Sequence, residues 1–398
     1  MRAAITSSRI LLLAIAFLFA RISLAAQSSN PQSAALLLQK AAKEISAGQL
    51  VPAEKELQSV LQAEPEEYRA LDLLGVVRVL QHQETQAEDL FAQAIRRKPD
   101  FAPAHSHLGL LYLKLARTED AIRELREALR LDPLGTDAAG ALIHTLQKQA
   151  QTASESGNWD EALRALKDAR NYAPDDPDIQ YEFGMVALQL SLNEDAAEAF
   201  RRTLKVRTRD ALAVYNLGRA LMEQSKFEDA RIEFADYVKI RPNDPSGYCA
   251  LGMTLAALER SKEARDEFER SISIAPAQTE AYYRLGLLDL ESGDYNAARQ
   301  NLDHALDREP KNAAALTALG RIEFEEKHYP EAVSTLQKAV AGDASLREAH
   351  YYLGLTLARL GRKQESTDQL DIATRLEHEQ AEHRRTILRI VAPGSQDK

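Results

Sequence analysis

The chain has 398 residues, with 50 Lys and Arg against 60 Asp and Glu, and a net charge of −10. This acidic balance argues against nucleic-acid binding, which requires a basic face. The single cysteine, Cys249, excludes an intrachain disulfide and is expected to be a small packed residue rather than a reactive thiol.

Residues 1–26 predict a secretory signal peptide. Arginines precede the apolar run 10–20, and the small-residue stretch 23–26 follows it, the order typical of a cleaved leader. The apolar run is short for a membrane span, so the alternative is an uncleaved N-terminal anchor, which would also place the rest of the chain outside the cytoplasm. We therefore expect an exported, periplasmic or secreted protein that contacts a membrane only if this segment stays as an anchor. A short linker is predicted at 27–33.

A period of 34 residues runs from residue 34 to residue 380. A glycine returns in phase, followed twelve residues later by an alanine and sixteen residues later by a large apolar residue, and seven repeats end with a proline. The glycines are Gly75, Gly109, Gly184, Gly218, Gly252, Gly286, Gly320 and Gly354. A fixed period of this length is typical of stacked supersecondary units.

This pattern closely resembles the tetratricopeptide repeat, a helix–turn–helix unit in which these residues occupy positions 8, 20, 24 and 32. Small residues at positions 8 and 20 allow two antiparallel helices to approach closely, and the large residue at position 24 fills the space beside them. Apolar residues recur at helical spacing, without the alternation that indicates strands. The resemblance implies an all-α fold, a right-handed superhelical solenoid of antiparallel helix pairs.

The phase predicts ten repeats. Repeats one to three occupy 34–135, repeat four occupies 136–176, and repeats five to ten occupy 177–380. The step into repeat four is 41 residues instead of 34. Since seven residues make about two helical turns, we predict that they extend the first helix of this repeat to 137–156. The alternative is a linker that divides the array into three plus seven repeats.

The C-terminal end is predicted to be a cap. The last repeat lacks the final proline, so its second helix is expected to continue from about Gln364 to Val391. Residues 381–398 are then a capping extension followed by a frayed tail, and arginines around Arg384 keep its outer face polar. The alternative for this basic cluster is contact with an anionic lipid headgroup.

No catalytic constellation is present in the sequence. His105 and His107 are two residues apart on a helix and point in different directions, so they do not form the i, i+4 pair of a metal site. Asp and Glu residues are expected on solvated helix faces and caps. Because the repeats leave no segment of domain size, we predict a protein that is not an enzyme and has no cofactor or metal.

In this family the first helices line a concave groove, and positions 2, 5, 9, 12 and 13 face it. Carried onto repeats five to ten, these positions give a stripe of tyrosine, methionine and arginine with a few apolar residues. The predicted groove residues are Tyr181, Met185, Tyr215, Arg219, Met222, Met253, Tyr283, Leu287, Arg321, Phe324 and Tyr351. Tyrosine and methionine suit contact with varied partners, and the arginines suit a carboxylate. The alternative is a mainly structural stripe, since such residues at helical spacing usually belong to the core.

The sequence therefore predicts a non-enzymatic scaffold or adaptor that binds an extended peptide or a partner helix in this groove, outside the cytoplasm. Its partner is a protein or peptide and not a nucleic acid. The family's clamp for a C-terminal carboxylate is not expected, because Asn216 alone fits its pattern. The alternative function is a structural component of an envelope or secretion complex, acting through its convex face or through self-association.

Overall fold

The computed structural model describes residues 31–391, and the side chains of residues 33–379. Within this range the chain forms twenty α-helices and no strand, which confirms the all-α repeat fold. The predicted signal peptide 1–26, most of the linker 27–33, the side chain of Arg384 and the tail after residue 391 lie outside the described residues. The chain divides into two compact units, one ending at Pro174 and the other beginning at Asp175.

The first unit contains repeats one to four as four helix pairs. Its helices are α1 (Pro31–Ser46), α2 (Leu50–Ala63), α3 (Tyr68–Leu80), α4 (Glu84–Arg97), α5 (Ala102–Lys114), α6 (Thr118–Leu131), α7 (Thr136–Glu155) and α8 (Trp159–Tyr172). The two helices of each repeat pack together, and the first helix of each repeat also contacts the first helix of the next. The seven extra residues lie in the first turns of α7, where Leu142 is buried.

The second unit contains repeats five to ten. Its helices are α9 (Pro177–Gln189), α10 (Asn193–Val206), α11 (Ala211–Glu223), α12 (Phe227–Ile240), α13 (Pro245–Ala257), α14 (Ser261–Ile274), α15 (Thr279–Ser292), α16 (Tyr295–Leu306), α17 (Ala313–Glu325), α18 (Tyr329–Gly342), α19 (Arg347–Arg359) and α20 (Lys363–Val391). Each first helix packs on the second helix of its own repeat and on that of the preceding repeat in the unit. The first helices α9, α11, α13, α15, α17 and α19 therefore form one layer.

The glycine at position 8 is covered by the large side chain at position 24 of the same repeat. A Cβ atom on Gly75 would lie 2.5 Å from the ring of Phe91, and one on Gly320 would lie 2.5 Å from Leu336. Such distances are impossible without a shift of the ring or the leucine. The close approach of the two helices in a repeat thus depends on this glycine.

The turn inside each repeat is the same in all ten repeats. The residue at position 15 has a left-handed φ, between 57° and 80°, although only four repeats carry glycine there. At His82, for example, the backbone N–H bonds to Val79 O, and the N–H of Gln83 bonds to Arg78 O. These are the two hydrogen bonds of the Schellman motif, which ends a helix by a left-handed residue. The motif therefore holds six non-glycine residues in an unfavourable conformation.

Not every acidic residue lies on a solvated face, which corrects the sequence-based expectation. The side chains of Asp72, Asp289 and Glu323 are buried between helices. Each is buried next to a cationic or imidazole partner, because a carboxylate without such a partner would be too costly to bury. None of the helices in residues 31–391 combines the length and hydropathy needed to cross a bilayer.

Candidate partner-binding face of the second unit

The predicted groove residues lie on the layer of first helices in the second unit. We call positions 2, 5, 9, 12 and 13 of α9, α11, α13, α15, α17 and α19 the first-helix face. None of the predicted residues is buried: Arg219 and Tyr351 are exposed, and the other nine are half-buried. The residues beside them on the same helices, such as Leu217 and Leu285, belong to the core. The stripe is thus accessible to a partner and also packs partly against the protein.

The tyrosines at position 5 are held by aromatic contacts. Tyr181 packs edge-on against Phe200 with ring centroids 5.7 Å apart, and Tyr215 packs in the same way against Phe234 at 5.5 Å. Burial raises the pKa of Tyr215 and of Tyr181 above the ordinary value, so both rings are neutral below pH 10. These rings are therefore fixed in place while one part of each remains accessible.

A hydrogen-bond chain joins repeats five and six on this face. The buried Asn216 donates from Nδ2 to the hydroxyl of Tyr181 at 3.2 Å. Its Oδ1 accepts a hydrogen bond from Nη1 of Arg219 at 3.0 Å. No carboxylate in the described part of the chain lies within 4.0 Å of the Arg219 guanidinium. Arg219 is therefore oriented by an amide and keeps its charge unpaired.

Apolar side chains surround this chain of hydrogen bonds. Met185 and Met253 are half-buried on the neighbouring helices, and the sulfur of Met222 accepts a hydrogen bond from Thr254 at 2.9 Å. Leu212, at position 2 of repeat six, is 55 % exposed. It was not among the predicted residues, although its position belongs to the face.

The second arginine at position 9, Arg321, differs from Arg219. Its guanidinium lies 3.8 Å from Glu348 and stands over the ring of Tyr352 at 5.6 Å. Glu348 is at position 2 and was also missed by the sequence analysis. Phe324 packs on Tyr352 as well, with ring centroids 6.0 Å apart. Repeats nine and ten thus place a counter-charge near their arginine, although the Nε of Arg321 is buried without a hydrogen-bond partner among the described residues.

Cys249 is buried, and burial raises the pKa of its thiol to about 12. A thiol with this pKa stays protonated near neutral pH and is a poor nucleophile. The expectation of a packed residue is confirmed.

The two histidines of α5 have separate partners. Nδ1 of His105 lies 2.8 Å from Glu124, whereas Nδ1 of His107 lies 2.8 Å from Asp72 on α3. Between residues 33 and 379, no three His, Cys, Asp or Glu side chains are placed to hold a metal ion. These histidines therefore act in packing between helices.

Family models described as tetratricopeptide repeat match residues 102–134, 148–205, 181–245, 245–278, 283–346 and 328–376, which together make up well over half of the chain. No curated protein matches it. Repeats of this family support a role as a protein–protein interaction scaffold.

Several solved structures are similar to parts of the chain. MamA from Desulfovibrio magneticus RS-1, from residue 41 to its end, is 21% identical, with a TM-score of 0.41, over 42% of this chain and 96% of MamA. YrrB, described as a repeat protein of this type with an unusual peptide-binding site, is 23% identical, with a TM-score of 0.35, over 48% of this chain and 100% of YrrB. The repeat models alone decide the assignment: the chain belongs to the tetratricopeptide repeat family.

Proposed function

We propose that the protein is a scaffold that binds an extended peptide segment of a partner protein along the first-helix face of the second unit. The observation that carries this proposal is the row of accessible aromatic and apolar side chains on successive first helices. It includes Leu212 and Tyr351, which are exposed to water although both are large and apolar or aromatic. An accessible apolar row of this kind is typical of an interaction surface.

The packing of the face favours binding. Tyrosine, methionine and arginine contribute large contact areas, and tyrosine and arginine are frequent among the residues that dominate binding energy. The rings of Tyr181 and Tyr215 are already fixed by Phe200 and Phe234. A partner therefore loses little free energy to ordering these side chains.

The test is selection of random peptides on the full chain, followed by titration of the selected peptides. Leu212→Ala with Tyr351→Ala removes two exposed groups from the first-helix face, and about a tenfold or greater loss of affinity is expected because each group loses its contact area. The matched control is Val206→Ala with Ile232→Ala, which removes two exposed apolar groups from α10 and α12. Equal affinities for the two double variants would place the binding elsewhere.

We further propose that this binding takes place outside the cytoplasm. Support comes from the order of charge, apolar core and small residues in 1–26. Mass spectrometry of the protein recovered from its own cells should find an N-terminus near Gln27. A mature chain that begins at Met1 in the cytoplasmic fraction would contradict export.

A further inference from the structure

We propose that the partner segment carries one acidic side chain, an aspartate or glutamate with peptide continuing on both sides, and that this carboxylate binds the guanidinium of Arg219. The inference rests on the proposed function and adds the chemistry of the partner to it.

Arg219 has no carboxylate partner among the described residues, whereas most of the described arginines lie near a carboxylate. In the same unit, Arg207 lies 2.6 Å from Asp178, and Arg260 lies 2.7 Å from Glu263. Arg219 has one hydrogen bond in the described structure, to Asn216, although a guanidinium carries five N–H donors. Even Glu223, one turn further along α11, forms no ion pair with it within the described residues. The other four N–H donors of Arg219 thus have no hydrogen-bond acceptor among the described residues.

The guanidinium is also oriented in advance. Asn216 is 5 % exposed and is itself held by the hydroxyl of Tyr181, so its amide oxygen is a fixed acceptor. An arginine held by a fixed acceptor loses less conformational entropy when it binds a carboxylate. Tyr215 lies close enough for the charge of Arg219 to lower the pKa of its hydroxyl, although burial raises that pKa more. The charge of Arg219 lowers the pKa of Tyr181 in the same direction, so the guanidinium acts on both tyrosines.

Arg321 occupies the same position in repeat nine but has a carboxylate nearby. It has Glu348 as its counter-charge and stacks on Tyr352. A partner carboxylate at Arg321 would meet the negative charge of Glu348, whereas no carboxylate of the described residues lies within 4.0 Å of Arg219. Arg321 is for this reason a matched control for Arg219.

The surroundings favour a side-chain carboxylate within the segment over a chain terminus. Met185 lies on α9, the first helix of the preceding repeat, and Met253 lies on α13, the first helix of the following repeat. A peptide that contacts both methionines continues past Arg219 in both directions. The chain has an excess of acidic residues, and Glu223 is exposed on the same helix. Several acidic residues in the partner would be repelled, so a single one in an apolar setting fits best.

The experiment uses peptides selected from a random library on the full chain. Each selected peptide is made in four forms: unchanged, with its acidic residue replaced by the amide, with an amidated C-terminus, and with both changes. Their affinities are measured for the unaltered chain, for Arg219→Gln and for Arg321→Gln. Because Arg219 is exposed, Arg219→Gln is expected to keep the helical circular dichroism of the unaltered chain.

We expect the acid-to-amide change to weaken binding to the unaltered chain and to Arg321→Gln by about ten- to a hundredfold, the size of a charge-assisted hydrogen bond. The acidic peptide and its amide form should both bind Arg219→Gln weakly, with no remaining difference between their affinities. Amidation of the C-terminus should change little.

Three results would overturn the inference while the proposed function stands: selected peptides without an acidic preference, a preference that survives in Arg219→Gln, or a preference removed by C-terminal amidation. The last would make the ligand a chain terminus. If instead Leu212→Ala with Tyr351→Ala leaves all selected peptides bound at full affinity, the first-helix face is not the binding site. In that case the proposed function fails, and the inference fails with it.

Discussion

The two units join neighbouring repeats through the same two positions but with the opposite order of charge. In the first unit, Glu54 at position 21 of repeat one accepts a hydrogen bond from Arg78 at position 11 of repeat two, at 2.7 Å. In the second unit, Arg265 at position 21 of repeat seven donates to Asp289 at position 11 of repeat eight. Position 21 is acidic in the first case and basic in the second.

A second pair in each unit follows the same order. Glu88 at position 21 accepts from the hydroxyl of Tyr112 at position 11, at 3.1 Å, in the first unit. Arg299 at position 21 lies 3.9 Å from Glu323 at position 11 in the second. The repeat fold thus brings positions 21 and 11 together. The sequence of each unit decides which of these two positions carries the acidic residue.

Pairing repeat one with repeat eight would bring Glu54 to Asp289. Pairing repeat seven with repeat two would bring Arg265 to Arg78. Like charges therefore disfavour these two wrong orders.

Burial also differs between the two units. The carboxylate of Asp289 is 1% exposed and binds both Arg265 and Asn301, whereas Glu54 is 23% exposed. Removal of a counter-charge is costly when the remaining charge is buried and cheap when water can solvate it. The same contact should therefore contribute very different amounts to stability in the two units.

The largest expected effect comes from Arg265→Ala. It leaves Asp289 buried without its counter-charge, so the free energy of unfolding of repeats seven and eight should fall by about 3–5 kcal/mol. Arg78→Ala should cost about 1 kcal/mol, because Glu54 is then solvated. Native-state hydrogen exchange of the α14–α15 and α2–α3 amides measures each region separately, since repeat arrays need not unfold in one step.

The control for this comparison is an apolar pair. In repeats nine and ten, positions 21 and 11 hold Val333 and Leu357, which belong to one hydrophobic cluster. Arg265→Leu with Asp289→Leu should therefore recover most of the stability lost in Arg265→Ala. A double variant as unstable as the single one would show that the loss does not come from the unpaired charge.

A second prediction distinguishes the two units by the pH dependence of their stability. The first unit joins Asp72 to His107, and the second joins Tyr181 to Asn216, in both cases through positions 5 and 6 of successive repeats. Burial lowers the pKa of His107, but the carboxylate of Asp72, with a smaller contribution from Asp137, outweighs this and raises the pKa above its ordinary value near 6.5. The folded state therefore binds the proton more tightly than the unfolded state.

This contribution to stability is fully present below the unfolded pKa of histidine and is lost as the pH rises through the higher folded pKa. Exchange protection of α3 and α5 should fall as the pH rises above about 6.5, after correction for the intrinsic exchange rate. The contribution is absent in His107→Gln, and the neutral pair of α9 and α11 should show no such dependence. An identical pH profile for His107→Gln and the unaltered chain would contradict the assignment to this pair.

The smallest effect concerns a feature that the units share. Ala116 in the first unit and Ser225 in the second both have a left-handed φ, 58° and 57°, at position 15. Ala116→Gly and Ser225→Gly should each raise the free energy of unfolding of their repeat by about 0.5–1 kcal/mol, because glycine adopts this φ without strain. Gly157→Ala should lower it by a similar amount, and unequal effects at Ala116 and Ser225 would show that the turn is not equivalent in the two units.

Features that depend on one repeat and its immediate neighbour could be predicted from the sequence. A glycine and a large apolar residue, such as Gly75 and Phe91, recur at constant spacing because each repeat needs the same close approach of two helices. The accessible row of tyrosine and methionine followed from the phase, since position on a helix decides which side faces the core. The exposed Leu212 belongs to the same positions and could have been included.

The partners of charged residues could not be predicted in the same way. Arg219 and Arg321 occupy the same position, but only Arg321 meets a carboxylate, from Glu348. Asp289 looked like a solvated acid on a helix and is instead enclosed by Arg265 and Asn301. Such contacts depend on side-chain directions across two repeats, which the period does not specify.

By itself, the sequence determined the helical repeat, its phase and the residues that line the first-helix face, because these follow from periodic packing needs that every repeat satisfies. Only the tertiary structure decided which charges are paired, which are buried and which remain open to a partner. The reason is that an ion pair needs two side chains within a few ångströms, and residues 24 to 35 positions apart reach that distance only after the repeats have stacked.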